Sequence, residues 1–507
     1  MTQRADIVII GSGIGGATTA LALAPSGRSI VILERGPRLT DSDAARCDRA
    51  IFRDGVFRPA EEWLDGSGQG FNPGNYYYVG GNSKFFGAVM LRYRREDFGA
   101  MQHLGGVSPA WPISYDEMEP WYQKAEELFE VRGDARQDPT EPSHTGDYNF
   151  PPVPDESTIF ALRDQLVKAG VTPSSLPLAV DHKAWQARAH TPWDAFPDTT
   201  GAKKDAENTA LAKALTFTNV TLISGAKVTR LGTGASGHVN FVEFTQTDTG
   251  TSSTARHKRL EVGICILSAG AVNSAALLLR SVNNDHPTGL ANGSDNVGRH
   301  FMNHNCSAVL ALHPWRRNTA VYQKTLQFND FYLSGGPMNK PLGNVQLLGK
   351  ISGEILAAQT GLPVWAARQI AARSVDWYAM SEDLPNRDSR VSLKGDRIVL
   401  DWKRTNWEAH QALVRKAKSV LRKAGSPVVI SRAFDRQTPS HQCGTTRFGA
   451  DPSNSVLDLY CRTHDHKNLY VVDAGFLPTS AAVNPALTIA AQALRVGDYI
   501  NRKVLAA

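Results

Sequence analysis

The apolar run Ile7 to Ile10 breaks into Gly-Ser-Gly-Ile-Gly-Gly, and small and apolar residues follow through "ATTALALA". This predicts a buried strand over about 7–10, a tight turn and a helix. "RSIVILERG" supplies the next strand, so the chain opens as a βαβ unit of a parallel sheet. From about Asp54 to Trp111 no steady period survives among the glycines and aromatics. Irregular chain of that length is expected to wrap a ligand. "SYDEMEPWYQKAEELFEV" carries the signals of a capped amphipathic helix, and "FPPVPDEST" marks a Pro-rich crossing. The segments 219–230 and 260–282 return to strand, glycine turn and helix, whereas 301–439 mixes strands and helices rich in Trp, Tyr and Phe. A last strand, Leu469 to Val472, and a last helix from Pro485 are expected to complete the sheet begun at residue 5.

The pattern predicts an α/β chain: a Rossmann-like cofactor domain from residues 1–98, 205–300 and 440–507, and a second α+β domain from 99–204 and 301–439. A length of 507 residues agrees, since domains average about 150 residues. No apolar run approaches the roughly 20 residues of a membrane span. The net charge of +6 is spread over short clusters such as "RYRR" and "RHKR", which argues for solvated faces rather than a nucleic-acid surface. Five dispersed cysteines form neither a disulfide framework nor a CxxC pair. With no secretory leader in "MTQRADIVIIGSG", a cytoplasmic protein is expected.

Candidate chemistry gathers at two places. Gly11, Gly13 and Gly16 make G-x-G-x-x-G between strand and helix, where backbone N–H groups and a helix N-terminus hold a pyrophosphate. Glu34, with Arg35 beside it, ends the following strand, where a carboxylate binds ribose hydroxyls and disfavours a 2'-phosphate. NAD and FAD both satisfy this motif. At the other end of the chain, Pro485 suits the first residue of a helix. The partial positive charge of that helix N-terminus suits the pyrimidine edge of a flavin. His441 is then a candidate base for a hydroxyl proton while hydride leaves for flavin N5, and Asn484 a candidate partner of the reacting oxygen.

These stretches resemble the glucose-methanol-choline oxidoreductase family, FAD enzymes that oxidise alcohols. The likeness covers the opening βαβ unit, "VGGNSKFFGAVMLR", "LSAGAVNSAALLLRS", "NVGRHFMNH" and everything from His441 to Ile500. It implies a catalytic base at His441, which opens an H-x-x-G-T run, and a partner at Asn484 before the last helix. It also implies flavin contacts from Gly80, Gly81 and Asn82, an adenine contact at Val228, and a phosphate-side turn at Asp473 and Ala474. Where some relatives carry the His that attaches FAD covalently, this chain has Lys84 and Phe85 after "GGNS", so non-covalent FAD is expected. The tail is most similar to the sugar-oxidising branch, the pyranose oxidases and glycoside 3-oxidases or 3-dehydrogenases. This implies oxidation of a ring hydroxyl, at carbon 3, of a sugar or glycoside, with oxygen or another acceptor taking the electrons. Oxidation of a non-sugar alcohol, or redox-silent hydroxynitrile lysis on the same fold, are the alternatives.

Amides and aromatics in "LQFNDFYL" (Gln327, Phe328, Asn329, Asp330, Phe331, Tyr332) and in "VDWYAM" (Trp377, Tyr378) are candidate sugar contacts. His300, His304, His464 and His466 lack a third ligand in the sequence and are expected in loops or polar packing rather than on a metal. Cys443, two residues after His441, is expected to be a small packed residue. No G-x-S-x-G elbow supports a serine hydrolase.

Overall fold

A computed structural model describes residues 3–234, 237–247, 255–435 and 441–506. The opening strand, Gln3–Ile10, lies at the centre of a seven-stranded sheet, flanked by Ile30–Leu33 and Ala255–Leu267, both parallel to it. Val220–Ile223 extends the parallel side beyond Ile30–Leu33. Strand Ala255–Leu267 does two jobs along its length. Its first half pairs antiparallel with Val239–Thr247, and its last residues, Cys265 to Leu267, pair parallel with the closing strand Leu469–Val471. The sheet begun at the N-terminus is therefore finished by the C-terminus, as the pattern of apolar runs predicts.

Segment 219–230 departs from the predicted order of strand, turn and helix. After Gly225, in the left-handed region at φ 67°, the chain enters a second strand, Ala226–Thr233. Lys227 is exposed, Leu231 is buried, and Val228 and Thr229 are β-branched, so a pleated half-buried surface suits the sequence better than a helix.

The first helix, Ile14–Leu23, and the closing helix, Ala486–Tyr499, pack on one another closely enough that a Cβ on Gly497 would stand 2.4 Å from Ala22 Cβ. Helix Tyr115–Leu128 starts at Ser114 with a reciprocal capping box to Glu117. It belongs to the core shared with the first sheet through Tyr115, Met118 and Tyr122.

A second sheet of six strands carries the region beyond residue 301. Asn305–Leu312 lies between Val428–Ala433 and Ser374–Ser381, and the order continues through Asn344–Leu347 and Leu326–Phe328 to Pro173–Ser175. Helix Trp407–Lys423 covers it, with Leu413, Ala417 and Leu421 in a core that also holds Phe328 and Trp377. Strands Arg390–Lys394 and Arg397–Asp401 instead join Trp63–Asp65 and Gly70–Phe71 in a small separate sheet. Among the described residues, no helix is long and apolar enough to cross a membrane.

Candidate active site

The glycine turn is shaped by close backbone approach. A Cβ on Gly11, at φ 102°, would lie 2.3 Å from the Ser268 carbonyl oxygen, and one on Gly16 would lie 2.1 Å from the carbonyl oxygen of Gly11. Gly15 is tighter still, 1.8 Å from the Val472 carbonyl oxygen at the end of the closing strand. Gly13 differs from all three: its Cβ direction meets nothing within 4 Å. It precedes a helix with no side-chain cap, so the first N–H groups of Ile14–Leu23 are left for a ligand beside that opening.

Of the other predicted nucleotide-side residues, Glu34, Gly80 and Gly81 meet this turn. Ser12 Oγ donates to Glu34 at 2.7 Å and accepts from the Gly80 N–H at 3.0 Å, joining the first turn, the second strand and the double-glycine loop. Gly80 and Gly81 both have positive φ, and a Cβ on Gly81 would come within 3.2 Å of Gly13. Glu34 is buried, which raises its pKa, while hydrogen bonds from Gly36 and Ser12 oppose that rise. The Arg35 guanidinium lies 3.6 Å over the Tyr77 ring. Exposed Asn82 accepts from the Tyr76 N–H. Val228 follows Ala226, whose N–H donates to the Glu34 carbonyl oxygen. Asp473 accepts from the Gly270 N–H and Ser274 Oγ at the start of helix Ala271–Arg280, and from the Gly475 N–H, so its carboxylate anchors the turn. Ala474 accepts from the Gly444 N–H, tying this turn to the segment that begins at His441. Lys84 is buried between Asp205 and Glu207 at 2.9 and 2.8 Å, and Phe85 stacks on Tyr76.

His441 and Asn484, 43 residues apart, meet: Asn484 Nδ2 stands 3.2 Å from His441 Nε2. The chain before Asn484 is held from several sides. Trp111 donates to Thr479, Tyr93 donates to the Ser480 carbonyl, and Tyr332 accepts from the Ala482 N–H. Pro485 precedes the helix that starts at Ala486, one residue later than predicted, and no side chain caps that end. The first-turn N–H groups of that helix leave a positively polarised pole beside Asn484.

A third residue completes the corner. His304 Nε2 lies 2.8 and 2.9 Å from the carbonyl oxygens of Ser480 and Ala481, and its Nδ1 lies 2.9 Å from His441 Nδ1. Carbonyls only accept, so His304 Nε2 carries the proton. Burial pushes the His304 pKa down to about 4, which keeps the ring neutral and its Nδ1 bare near neutral pH. His441 Nδ1 must then donate, leaving His441 Nε2 with a free lone pair facing the Asn484 amide. Burial, His304 and Lys324 together hold the His441 pKa well below its ordinary value. Both His441 and Ala481 adopt left-handed backbone, at φ 52° and 51°. The sequence places His304 in a loop or in polar packing; it lies 137 residues from its partner, and no local spacing signals that contact.

The candidate sugar contacts are engaged elsewhere. Phe328 and Trp377 are fully buried in the second core, and Tyr378 packs on Phe434. Asp330 accepts from the Thr172 N–H, Tyr332 donates to Asp97, and Phe331 lies under Lys416. Gln327 and Asn329 bond other buried side chains. Cys443 is buried, which pushes its thiol pKa well above the usual range. His466 bonds Gly237 and Ala291, and His464 bonds Ser455. Among the described residues no three His, Cys, Asp or Glu side chains are grouped to hold a metal.

An open glycine cradle at one helix N-terminus, together with an imidazole and an amide paired beside a second uncapped helix N-terminus, fits a dinucleotide-dependent oxidoreductase of Rossmann-like fold. The pattern described as GMC oxidoreductase matches residues 152–306 and 385–493, and a NAD(P)-binding Rossmann-like domain pattern matches residues 9–56. The chain is 30% identical to 6'''-hydroxyparomomycin C oxidase of Streptomyces lividus over 98% of its own length and 91% of that protein. Paromamine 6'-oxidase of Streptomyces fradiae is 28% identical, over 98% and 92%. The fructose dehydrogenase large subunit of Gluconobacter japonicus is 26% identical, over 98% of both chains. The solved pyridoxine 4-oxidase from Mesorbium loti shares the fold, with a TM-score of 0.66 at 18% identity over 98% of this chain and 99% of that one. The chain belongs to the GMC oxidoreductase family, and its cofactor is FAD.

Proposed function

We propose that the protein oxidises a CH–OH group of a sugar or sugar-like alcohol, with His441 as the base. The observation that carries this reading is the bare Nε2 of a neutral His441, 3.2 Å from the Asn484 amide beside an uncapped helix N-terminus. His441 Nε2 takes the hydroxyl proton, and the Asn484 NH2 donates to the oxygen as negative charge develops on it. FAD supplies the acceptor for the hydride that leaves the same carbon. The turn shaped by Gly11 and Gly16 presents Gly13 and the first helix N–H groups to its pyrophosphate, Glu34 holds its ribose, and Gly80, Gly81 and Asn82 line its passage. Arg35 and Val228 flank the adenosine end, and Asp473, Ala474 and Pro485 shape the turns at the other. Binding is non-covalent, because Lys84 and Phe85 stand where an attaching His would be and Lys84 is committed to two carboxylates. Residues 1–98, 205–300 and 440–507 form the cofactor domain, and the remainder forms the substrate domain.

The resemblance to glycoside 3-oxidases supports a secondary ring hydroxyl at carbon 3. The names of two relatives, oxidases of aminoglycosides at a 6' or 6''' position, favour a second reading, a primary carbinol on an amino sugar. The electrons pass on to oxygen or another acceptor. Five dispersed cysteines, too few for a disulfide framework, support a cytoplasmic setting.

Anaerobic mixing with a panel of sugars, glycosides and aminoglycosides tests the proposal. Bleaching of the oxidised flavin band near about 450 nm is expected, with product analysis assigning the carbon. An unbleached flavin across the panel would remove this reading and favour the lyase.

A further inference from the structure

Asn484 does not set its own orientation. Its Oδ1 accepts from Gln346 Nε2 at 3.0 Å, and the same Gln346 nitrogen donates to Asn344 Oδ1 at 2.7 Å. Asn344 Nδ2 donates to Asn329 Oδ1 at 2.7 Å and to Gln327 Oε1 at 3.0 Å. Asn329 Nδ2 donates to Asp138 at 2.5 Å, on the carboxylate oxygen that also receives Arg94 Nη2 at 2.6 Å.

These four amides are at most 1% exposed and stand on the neighbouring strands Leu326–Phe328 and Asn344–Leu347 or just past the first. At this depth of burial a single flip would face oxygen with oxygen inside the row, at the cost of unpaired polar groups. An ionised carboxylate accepts only. Asp138 therefore demands the NH2 of Asn329; Asn329 and Asn344 each pass this on with oxygen on one side and NH2 on the other, and Gln346 turns one NH2 to both Asn344 and Asn484.

We infer that the buried carboxylate of Asp138 sets, through Asn329, Asn344 and Gln346, which end of the Asn484 amide faces His441. Asp138, Asn329, Asn344 and Gln346 are positioning residues. Their effect reaches the reaction only through the Asn484 NH2, a role that rests on the function proposed above.

The decisive variant is Asp138→Ala. It removes the acceptor-only group on which Asn329 and Arg94 share one oxygen, so the row is no longer held in one sense. In the reversed sense Asn484 shows Oδ1 to His441 Nε2, which favours a proton there. His304 and Lys324 are the charged or titratable groups bearing on that ring. In holoenzyme with nitrogen-15-labelled histidine, the His441 signals are identified by their loss in His441→Ala. The wild type should show one tautomer, protonated at Nδ1. Asp138→Ala should replace it by a mixture of Nδ1- and Nε2-protonated forms. Loss of the Asp138 charge alone lowers the His441 midpoint without mixing tautomers, so a single Nδ1-protonated tautomer overturns the inference.

If Asp138→Ala fails to fold because Arg94 loses this partner, Gln346→Met decides. It removes the donor to Asn484 Oδ1 and should replace the single His441 tautomer by a mixture; retention of the wild-type spectrum overturns the inference. These readouts need no turnover. Flavin reduction surviving in His441→Ala would defeat the proposed function instead, leaving the amide row untouched.

Discussion

The two ends of the site are built by opposite means. The phosphate-side turn is six consecutive residues, Gly11 to Gly16, shaped by backbone approaches of 1.8 to 2.3 Å to a would-be Cβ. The proposed catalytic corner draws His304, Gln346, His441 and Asn484 from four distant segments and is shaped by hydrogen bonds that fix where protons sit. One end excludes side chains, whereas the other depends on the polarity of each side chain. Damage to the first should therefore cost the cofactor, and damage to the second should cost chemistry while the flavin stays bound.

Gly15→Ala breaks the first end most severely. Its methyl group would sit 1.8 Å from the Val472 carbonyl oxygen at the end of the closing strand, so a colourless or insoluble protein is expected. Gly13→Ala, with open space around it, should fold with a near-normal melting temperature and still lose FAD, as flavin absorbance per mole of protein would report. Equal damage from both substitutions would contradict the division of the turn into packing glycines and one cofactor-facing glycine.

At the other end, His441→Ala should keep its yellow colour and slow flavin reduction by about 10²–10⁴-fold in anaerobic stopped-flow. Asn484→Ala removes one donor to a developing oxyanion and is expected to cost roughly 10–100-fold in the same measurement, from about 1.5–3 kcal/mol for a charged hydrogen bond. Release of FAD by either variant would erase the contrast between the two ends.

The smallest effect expected is one of pH. Burial disfavours the protonated imidazole of His441, so its pKa lies below 6.5 and the base stays available as pH falls through that value. It is lost only when pH drops through the depressed pKa. The acid limb of kcat/KM should accordingly lie below 6.5; a limb at or above it would mean that burial does not govern this ring.

The glycine turn was legible because its cause is local: a strand, a turn that tolerates no Cβ and a helix lie within twenty residues. Glu34 and Pro485 could be placed for the same reason, each by its position in a neighbouring element. His441 and Asn484 were named as candidates from the helix opening at Pro485 and from the resemblance to a family, but nothing in their spacing requires the contact they make. His304, read as loop or polar packing, does lie in a loop with polar partners, but its contact with His441 was not foreseen, and Gln327 and Asn329, read as sugar contacts, bond other buried side chains. A polar residue in a sequence does not reveal whether water, a ligand or another buried amide will be its partner.

What the chain determined by itself was the alternation of apolar runs with glycine turns, and with it a Rossmann-like sheet closed by its own C-terminus. Tertiary structure alone decided which protons and lone pairs face one another at the corner. Apolar burial depends on side-chain type and periodicity, which are written along the chain. Hydrogen-bond polarity depends on which donors and acceptors meet in space, from the Ser480 carbonyl at one side to Asp138 at the other.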